Sequence, residues 1–548
     1  MTKKIMALMI ALIMVLALAA CGPAAGNTNN AANAVESYPI EQIKVGITAA
    51  IEKAVPDEYA YEMLSSGVTH MPLVWQDTEG AFHPLLASFE TKDATTWTYT
   101  IVDGMQWSDG TPVTAEDILF TIQRADEQGG ANFKSQTDKD GKTVAAKYSG
   151  YKLSEDKKSI SLTLTTPNVR ELGNMTSFRP LPKHIYDGKT SVADADARIG
   201  NGPYVFDSFS KDSGTLIFTA NKNYKQQPNV GKIVYQIFSS EDTMYMALEK
   251  GEIDMTWIYS SGINANYHDA LGKSANVQLL TVAASNAPAV LAFNNAKGPF
   301  ADENLRKAVA SALDYEQLRV KVGSANAVTP NRGFVPTTTI GYTATETLKQ
   351  DLKAAEQYMN AAGYKKNADG KFADASGKVF SFTLTFRSDQ SNKVASADII
   401  KNCLESFGIG VTLEPLDSAS YNAKTSNKFS EKNITMEAAL FGYTSAGMGM
   451  GSGLATIYVD GTHAVQGGCQ VFDADFKAAE TALGSAATLD AYNAAAAKVQ
   501  DFYAKHTPLV ALYWDSFVYG VNARYTDVTI DNAFGLNNVN NWFSIKAK

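Results

Sequence analysis

The sequence predicts an α/β fold that is large enough for more than one lobe. Hydrophobic residues make up 45% of its 548 positions, and a chain of this size and composition can bury an extensive core. From Tyr38 to the C-terminus, patterns typical of strands alternate with patterns typical of helices. Strands and helices mixed in this order indicate packed layers of both, and therefore an α/β architecture.

The first 21 residues predict an export signal that ends at a lipidation site. Lys3 and Lys4 precede an unbroken apolar run over residues 5–20, which is too short for a comfortable membrane span but typical of a secretory signal. The small residues ahead of Cys21 resemble a bacterial lipobox, in which the cysteine is lipidated on sulfur and then acylated on its freed amine. Several acyl chains together anchor a protein stably. The alternative is an ordinary signal peptide with an incidental cysteine.

Residues 22–37 contain almost no large apolar side chain. Such a segment cannot build a core, so we expect a flexible tether between the anchor and the folded body. No later apolar run reaches membrane-spanning length, which predicts a soluble body. The net charge of −9 argues against a nucleic-acid partner, because nucleic-acid binding usually needs a basic face.

Three alternations of apolar and polar residues predict half-buried strands. They involve Trp97, Tyr99 and Ile101; then Ile160, Leu162 and Leu164; and then Phe380, Phe382, Leu384 and Phe386.

Capping signals predict where several helices begin and end. Residues 114–117 and 239–242 have capping-box patterns, and Asp302 can cap a third helix. Gly251 is a plausible end for the second helix. Gly363 ends a fourth helix, whose apolar face would contain Leu348, Leu352, Ala355, Met359 and Ala362.

The two remaining cysteines, Cys403 and Cys469, could pair with each other, because an exported protein meets conditions that permit disulfides. Two buried free thiols are the alternative. Neither cysteine has the CxxC or Cys/His spacing of a metal site, and no cluster of His, Cys or Met stands out. We therefore expect no metal and no other cofactor.

Four groups of motifs occur in the order that is found in one known family. The stretch W-S-D-G-T-P-V-T-A-E-D at residues 107–117 is the most specific of them. The other segments are residues 85–89 and 97–101, 181–185 and 200–204, 247–254, and 293–294 with 299–300, 305–309 and 312–314. Together they resemble the family-5 extracellular solute-binding lipoproteins of bacterial ABC importers, the peptide/nickel class.

The resemblance implies a two-lobe periplasmic-binding-protein fold of class II, similar to cluster C, whose lobes close on a ligand. Lobe I would contain residues 38–295 and 507–548, with an extra subdomain at about 73–189, and lobe II would contain residues 296–506. We expect most motif residues to be structural. Examples are Asp109 and Gly110 in a turn, Gly202 and Pro203 in a loop, and Asp254 at a strand end.

In peptide-binding relatives, an arginine just after a strand pairs with the carboxylate of the ligand. Arg387 follows the predicted strand in the same way. A guanidinium suits this role because its planar fork donates two parallel hydrogen bonds. The alternative is a surface arginine that pairs with Asp389 or a nearby glutamate.

Such relatives also carry an aspartate, shortly after a Gly-Trp pair, that holds the amino terminus of a bound peptide. In the matching stretch, residues 441–448, Tyr443 replaces the tryptophan, and Ser445 or Ala446 stands where the acid is expected. An unpaired ammonium is costly to bury. Ordinary free-amine peptides thus become a less secure ligand class, and modified peptides, oligosaccharides or other polar metabolites are alternatives.

A glycine-rich stretch follows and lacks a phosphate-loop pattern. We expect a tightly turning loop there, in which Met448 packs adaptably against a ligand. Aromatic rings offer flat apolar surfaces with polar edges to a ligand, although core packing is the alternative for them. The remaining candidates for the ligand cleft are Trp257, Asn294, Thr444, Tyr513 and Trp514.

The resemblance implies a binding protein and not an enzyme. It would capture a peptide or peptide-like solute at the outer face of the bacterial cytoplasmic membrane, as a lipid-anchored monomer, and deliver it to an ABC permease and ATPase complex. The alternatives are a binding protein for an oligosaccharide or another non-peptide metabolite, and a sensory co-receptor. A secreted hydrolase is disfavoured, because the sequence lacks GxSxG and HExxH motifs.

Overall fold

The structure is a computed structural model. It describes residues 37–48, 51–56, 59–77, 81–137, 143–258, 262–337, 339–425, 434–443, 469–531 and 535–548. Apart from Ser37, these ranges all belong to one unit, Tyr38–Lys548. The predicted export signal, Cys21 and residues 22–36 of the predicted tether lie outside the described residues.

The strands are numbered in chain order. They are β1 (Ile43–Ile47), β2 (Val74–Gln76), β3 (Phe82–Pro84), β4 (Ala87–Thr91), β5 (Thr96–Ile101), β6 (Gln136–Thr137), β7 (Thr143–Val144), β8 (Tyr148–Leu153), β9 (Ser159–Leu164), β10 (Tyr204–Ser210), β11 (Thr215–Ala220), β12 (Lys232–Ile237), β13 (Met255–Thr256), β14 (Val277–Phe293), β15 (Lys365–Lys366), β16 (Phe372–Ala373), β17 (Ser381–Arg387), β18 (Gly410–Leu416), β19 (Ala438–Tyr443), β20 (Leu509–Asn522), β21 (Tyr525–Thr526) and β22 (Lys546–Ala547).

The α-helices are numbered in the same way. They are α1 (Tyr59–Ser65), α2 (Ala115–Glu127), α3 (Glu171–Met175), α4 (Lys183–Tyr186), α5 (Asp194–Ala197), α6 (Glu241–Lys250), α7 (His268–Lys273), α8 (Glu303–Ala312), α9 (Tyr315–Val322), α10 (Leu352–Ala361), α11 (Ser391–Phe407), α12 (Ser418–Thr425), α13 (Ala474–Gly484), α14 (Leu489–His506) and α15 (Val539–Ser544). Short 3₁₀ helices occupy Ala265–Tyr267 and Pro299–Ala301.

A ten-stranded sheet runs through the body in the order β10-β11-β12-β1-β13-β20-β14-β19-β17-β18. On one side β1 pairs in parallel with β12 and β13, and on the other side β17 pairs in parallel with β18 and β19. The long antiparallel strands β14 and β20 connect the two sides. Their pairing shifts register between Thr281 and Ser285 and again between Asn286 and Ala289, which interrupts the ladder in the middle of β14.

Each half of the ten-stranded sheet, the one around β1 and the one around β17, has a hydrophobic core of its own. One core contains Ile43 of β1, Val282 of β14 and Phe517 of β20. Another contains Phe382 of β17 together with Ala289 of β14. The two connecting strands, β14 and β20, therefore contribute to both cores. Along β14, the change from one core to the other falls where the ladder is interrupted. The two-lobe α/β fold expected from the sequence is confirmed.

A separate antiparallel sheet, in the order β4-β5-β9-β8, packs over another core. The 107–117 motif lies beside it, and Trp107 is fully buried. The indole N–H of Trp107 donates to Oδ2 of Asp117 at 3.4 Å. Asp117 also accepts hydrogen bonds from the backbone N–H groups of Thr114 and Lys183, both at 2.9 Å. The motif thus ties the start of α2 to the start of α4.

Asp109 and Asp254 also have structural roles, as predicted. The ring Nε2 of His184 lies 2.7 Å from Oδ2 of Asp109, which joins two motif segments. Asp254 accepts a hydrogen bond from the backbone N–H of Lys44 at 2.7 Å and another from the hydroxyl of Tyr525 at 3.1 Å. These bonds connect the beginning of β13 to β1 and to the C-terminal part of the chain.

Capping predictions hold at α2, where Thr114 and Asp117 form a capping box, and at Gly251, which ends α6 with φ +73°. Glycine adopts this left-handed conformation without a steric penalty. The cap of α6 was predicted one residue early, because the side chain of Ser240 accepts the hydrogen bond from the backbone N–H of Thr243.

The apolar face predicted for α10 is only partly confirmed. Ala355 and Met359 are buried, but Leu348 precedes the helix, which begins at Leu352. Leu352 is 45% exposed, because it follows the cap residue Asp351 in the first turn and does not reach the core.

Cys403 and Cys469 are both free thiols, and Cys469 is buried. Burial raises the pKa of the Cys469 thiol, so the neutral form is favoured. Within the described ranges, no helix is long and apolar enough to cross a bilayer.

Candidate functional site

Parallel strands in both halves of the ten-stranded sheet have their carboxyl ends at one cavity. In open α/β sheets, ligands bind in the crevice outside these strand ends. Thr48 follows β1 and residues 239–242 follow β12, while Arg387 ends β17 and Gly442 lies near the end of β19. All of them line a cavity of about 840 Å³, a volume typical of small-molecule sites. We call it the interlobe cavity.

Arg387 forms a forked ion pair with a neighbour on its own wall. Its Nε donates to Oδ1 of Asp389 at 2.9 Å, and its Nη2 donates to Oδ2 at 2.5 Å. These bonds hold the pKa of the Asp389 carboxyl below its usual range despite partial burial. A guanidinium has more donors than this pair uses, so Arg387 keeps N–H groups that a ligand can reach.

Lys393 is a buried amine on the same wall. It lies in the first turn of α11, is only 4% exposed and lines the interlobe cavity. Burial, and then the positive charge of Arg387, lower the pKa of Lys393 to about 7. A carboxylate that entered the cavity would favour the charged form of this amine.

The opposite wall carries two adjacent carboxylates in the first turn of α6. The hydroxyl of Tyr245 donates to Oε2 of Glu241 at 3.3 Å, and the hydroxyl of Tyr267 donates to Oδ1 of Asp242. Burial raises the pKa of Glu241, and the nearby charge of Asp242 raises it further. When these carboxylates are ionised this wall is negative, while Arg387, and Lys393 when it is protonated, bring positive charge to the other wall.

Asp515 lies where the ladder between β14 and β20 is interrupted. It accepts hydrogen bonds from the backbone N–H of Ser324 at 2.7 Å, from the hydroxyl of Ser324 at 2.5 Å and from the backbone N–H of Ser516 at 2.8 Å. Burial raises the pKa of the Asp515 carboxyl in spite of these bonds. The carboxylate is thus bonded within the protein and holds the end of α9 against β20.

The structure places Arg387 and Tyr513 at the interlobe cavity. Tyr513 is only 1% exposed and also belongs to the core beside β17. Tyr443 ends β19, directly after the lining residue Gly442. The other residues suggested for the end of this motif, Thr444, Ser445, Ala446 and Met448, lie outside the described residues.

Three other candidates are buried and are not among the described residues that line the cavity. Trp257 packs in the core beside β1. Asn294 donates to the backbone oxygens of Ile434 and Met436, at 3.3 and 3.1 Å. Trp514 packs in a third core with its ring centroid 5.6 Å from that of Phe334.

Sequence reasoning missed four charged residues of the cavity, namely Glu241, Asp242, Lys393 and Asp515. The first three could have been predicted from their places just after strands, because Glu241 and Asp242 follow β12 and Lys393 follows β17. The capping pattern at residues 239–242 was interpreted only as a helix start. Asp515 gives no such signal, because it lies inside a long strand.

Another cavity, of about 780 Å³, lies beside α8 and α14. Its charged side chains already form hydrogen bonds or ion pairs with other groups of the protein. Glu303 pairs with Nδ1 of His506 at 2.6 Å, and Arg306 donates to the backbone oxygens of Phe300 at 2.7 Å and His506 at 3.0 Å. We therefore place the candidate ligand site in the interlobe cavity. In the part of the chain that the structure describes, no group of three or more His, Cys, Asp or Glu side chains could hold a metal ion.

Comparison with known proteins gives a family match. The model for "Bacterial extracellular solute-binding proteins, family 5 Middle" matches residues 81–458. The dipeptide-binding protein DppE of Bacillus subtilis (strain 168) is 24% identical over 356 residues, which are 60% of this chain and 60% of that protein. The alignment therefore spans less than two thirds of this relative's length.

Solved structures share the fold at low sequence identity. The oligopeptide-binding protein AppA from Bacillus subtilis, in complex with a nonapeptide, matches with a TM-score of 0.72 and 18% identity, covering 92% of this chain and 99% of that one. A mannohexaose-bound oligopeptide-binding protein from Thermotoga maritima matches with a TM-score of 0.70 and 18% identity, covering 93% and 99%.

Proposed function

The chain belongs to family 5 of the bacterial extracellular solute-binding proteins, and from this membership we propose that it captures a peptide or peptide-like solute for an ABC importer. The observation that carries the proposal is the interlobe cavity of about 840 Å³, which has charged side chains from both walls. Peptides combine charged termini with a polar backbone, and such a lining can bind both. Capture and release need no covalent step, so the proposed role is not enzymatic.

Closure of the lobes would couple capture to delivery. A ligand that touches both walls favours the closed arrangement, and a permease can then distinguish the liganded protein from the empty one. We propose that the crossover between the lobes lies near Ser285 of β14 and Ser516 of β20. The register shift of this strand pair and the change of core membership support that position. The sheet β4-β5-β9-β8 would mark the extra subdomain of lobe I.

We further propose that Cys21 carries the lipid anchor and that the protein works as a monomer at the outer face of the cytoplasmic membrane. The basic start, the apolar run and the small residues before Cys21 support the anchor, because they are typical of an export signal. Residues 22–37 would give the body enough reach to meet a permease.

An oligosaccharide is the second candidate ligand. Many cavity residues are uncharged and polar, including Asn264, Asn266, Gln390 and Asn392, and amides suit sugar hydroxyls. The mannohexaose-bound neighbour from Thermotoga maritima has the same fold.

Native mass spectrometry of the purified mature protein tests the proposal directly. We expect a retained mass that matches a peptide, or that appears after incubation with a peptide pool. Small-angle scattering should then report a smaller radius of gyration, and the melting temperature should rise by mass action. A retained sugar, with no binding from the peptide pool, would favour the second candidate. A tight ligand that leaves the scattering profile unchanged would contradict closure.

A further inference from the structure

A second contact between the proposed lobes lies outside the interlobe cavity. The backbone N–H of Val169, shortly before α3, donates to the carbonyl oxygen of Ala486, between α13 and α14, at 2.8 Å. The side chain of Val169 packs against the core under the sheet β4-β5-β9-β8 and also against the core that contains Trp514. Neither Val169 nor Ala486 is among the described residues that line the interlobe cavity. The proposed extra subdomain of lobe I therefore touches lobe II directly.

Two buried polar groups at this contact lack a hydrogen-bond partner among the described residues. Arg170, next in the chain, places the central carbon of its guanidinium 6.0 Å from the ring centroid of Tyr492 in α14. The two groups are Nε of Arg170 and the hydroxyl of Tyr492. Such a group destabilises the arrangement that buries it, because water would bond it if the site were open. We call Val169, Arg170, Ala486 and Tyr492 the outer contact.

The subdomain is joined to the rest of lobe I by hydrogen bonds and by a shared core. The backbone N–H of Ser108 donates to the carbonyl oxygen of Gly200 at 2.8 Å, and the side-chain amide of Asn223 donates to the carbonyl oxygen of Ser108 at 3.0 Å. Val539 of α15 belongs to the core under the sheet β4-β5-β9-β8. We therefore expect the subdomain to move together with lobe I, so that the outer contact breaks when the lobes open.

We propose that the outer contact is a latch, which forms when the lobes close and whose unbonded polar groups keep the ligand-free protein from staying closed. This inference rests on the proposed function, because a latch matters only if the lobes close on a solute. Val169 favours closure through its apolar packing and its backbone hydrogen bond. Arg170 and Tyr492 oppose closure, since opening lets water reach both unbonded groups. A solute that touches both walls of the interlobe cavity then shifts the balance toward the closed form.

Hydrogen exchange tests whether the outer contact opens, with single amides resolved by fragmentation mass spectrometry. The N–H of Ser108 is the matched control, because it also donates at 2.8 Å but to Gly200, on the side that should not open. In the ligand-free protein, we expect the protection factor at Val169 to be about tenfold or more below that at Ser108. A pool of tri- to pentapeptides should raise the protection at Val169 and leave that at Ser108 unchanged.

Variants test the direction of each effect through the time that pool peptides stay bound after dilution, measured by ultrafiltration and mass spectrometry. Tyr492→Phe removes an unbonded hydroxyl, so peptide release should slow by about threefold or more. Val169→Ala removes apolar packing, so release should become about threefold faster. Tyr99→Phe is the control, because its buried hydroxyl also lacks a partner among the described residues but lies in the core of the subdomain. It should leave release unchanged.

Similar protection at Val169 and Ser108 in the ligand-free protein would overturn the inference, because the outer contact would then be permanent. Peptide release that is unchanged in both Tyr492→Phe and Val169→Ala would also overturn it and would leave the proposed function intact. If wild type retains no peptide, the proposed peptide function fails, whereas the comparison of the two amides in the ligand-free protein still decides whether the contact opens.

Discussion

Nδ2 of Asn264 donates a hydrogen bond to Oγ of Ser391 at 2.5 Å, and this bond joins the two walls of the interlobe cavity. Asn264 precedes the 3₁₀ helix Ala265–Tyr267, whereas Ser391 begins α11. Ser391 is exposed and Asn264 is half-buried, so water competes for the bond and its net contribution to closure is modest. It acts where the walls meet and would slow the release of a bound ligand.

Removal of this bond should therefore speed ligand release. We expect Asn264→Ala to weaken the closed, liganded state by about 0.5–1.5 kcal/mol, which stopped-flow dissociation would detect as a faster off-rate. Ser391→Ala should have the same effect, and the double variant should be no worse than either single one. Fully additive losses would show that the two side chains act independently.

Arg387 should contribute to affinity for any ligand with a carboxylate. We expect Arg387→Ala to cost about 2–5 kcal/mol in binding, the usual loss when one partner of a buried charge pair is removed. Part of the loss arises because Asp389 would remain without its partner. Calorimetry with one peptide in its free-acid and amidated forms separates the two effects, because only the acid form should lose affinity strongly. Arg319→Ala, which breaks an exposed pair with Glu316, is the control and should leave binding unchanged.

Because it is buried, Lys393 should make the free energy of unfolding rise with pH. Its pKa is about 7 in the folded protein and near 10.5 as an ordinary lysine. Between these values the unfolded chain binds a proton that the folded chain does not, so this group makes stability rise with pH. Below about pH 7 both states are protonated, and the penalty for the buried charge is constant.

The measurement compares urea midpoints of wild type and Lys393→Met from about pH 6 to about pH 10. Wild type should gain stability relative to the variant as pH rises through this window, while the exposed Lys353→Met control should track wild type. A constant difference across the window would mean that Lys393 titrates normally in the folded protein.

Cys21→Ala should abolish lipidation without affecting the folded body, because Cys21 precedes the proposed tether, whereas the unit Tyr38–Lys548 contains the core. We expect the variant to lose metabolic acyl labelling and to leave the membrane fraction, while its melting temperature matches that of wild type. Unchanged labelling and membrane partitioning would contradict the lipobox interpretation.

Much of the fold could be predicted from local patterns, because alternation and capping depend on neighbouring residues. The strand around Tyr99, the helix after Thr114 and the glycine stop at Gly251 all appear where they were expected. The prediction was less accurate at α10, where the expected apolar face included Leu348, which precedes the helix, and Leu352, which begins it. Periodicity cannot say where tertiary contacts begin, so Leu352 fitted the pattern yet remained exposed.

By itself, the sequence determined the family resemblance, the α/β class and the position of Arg387 after a strand, because each depends on residues close together in the chain. Only the tertiary structure decided which side chains meet. Arg387 pairs with Asp389 on one wall of the cavity, while Glu241 and Asp242 lie on the other. Trp257 and Trp514, equally plausible from the sequence, are buried in separate cores. The physical reason is that a ligand cavity forms where strand ends from distant parts of the chain converge, and local patterns do not encode that convergence.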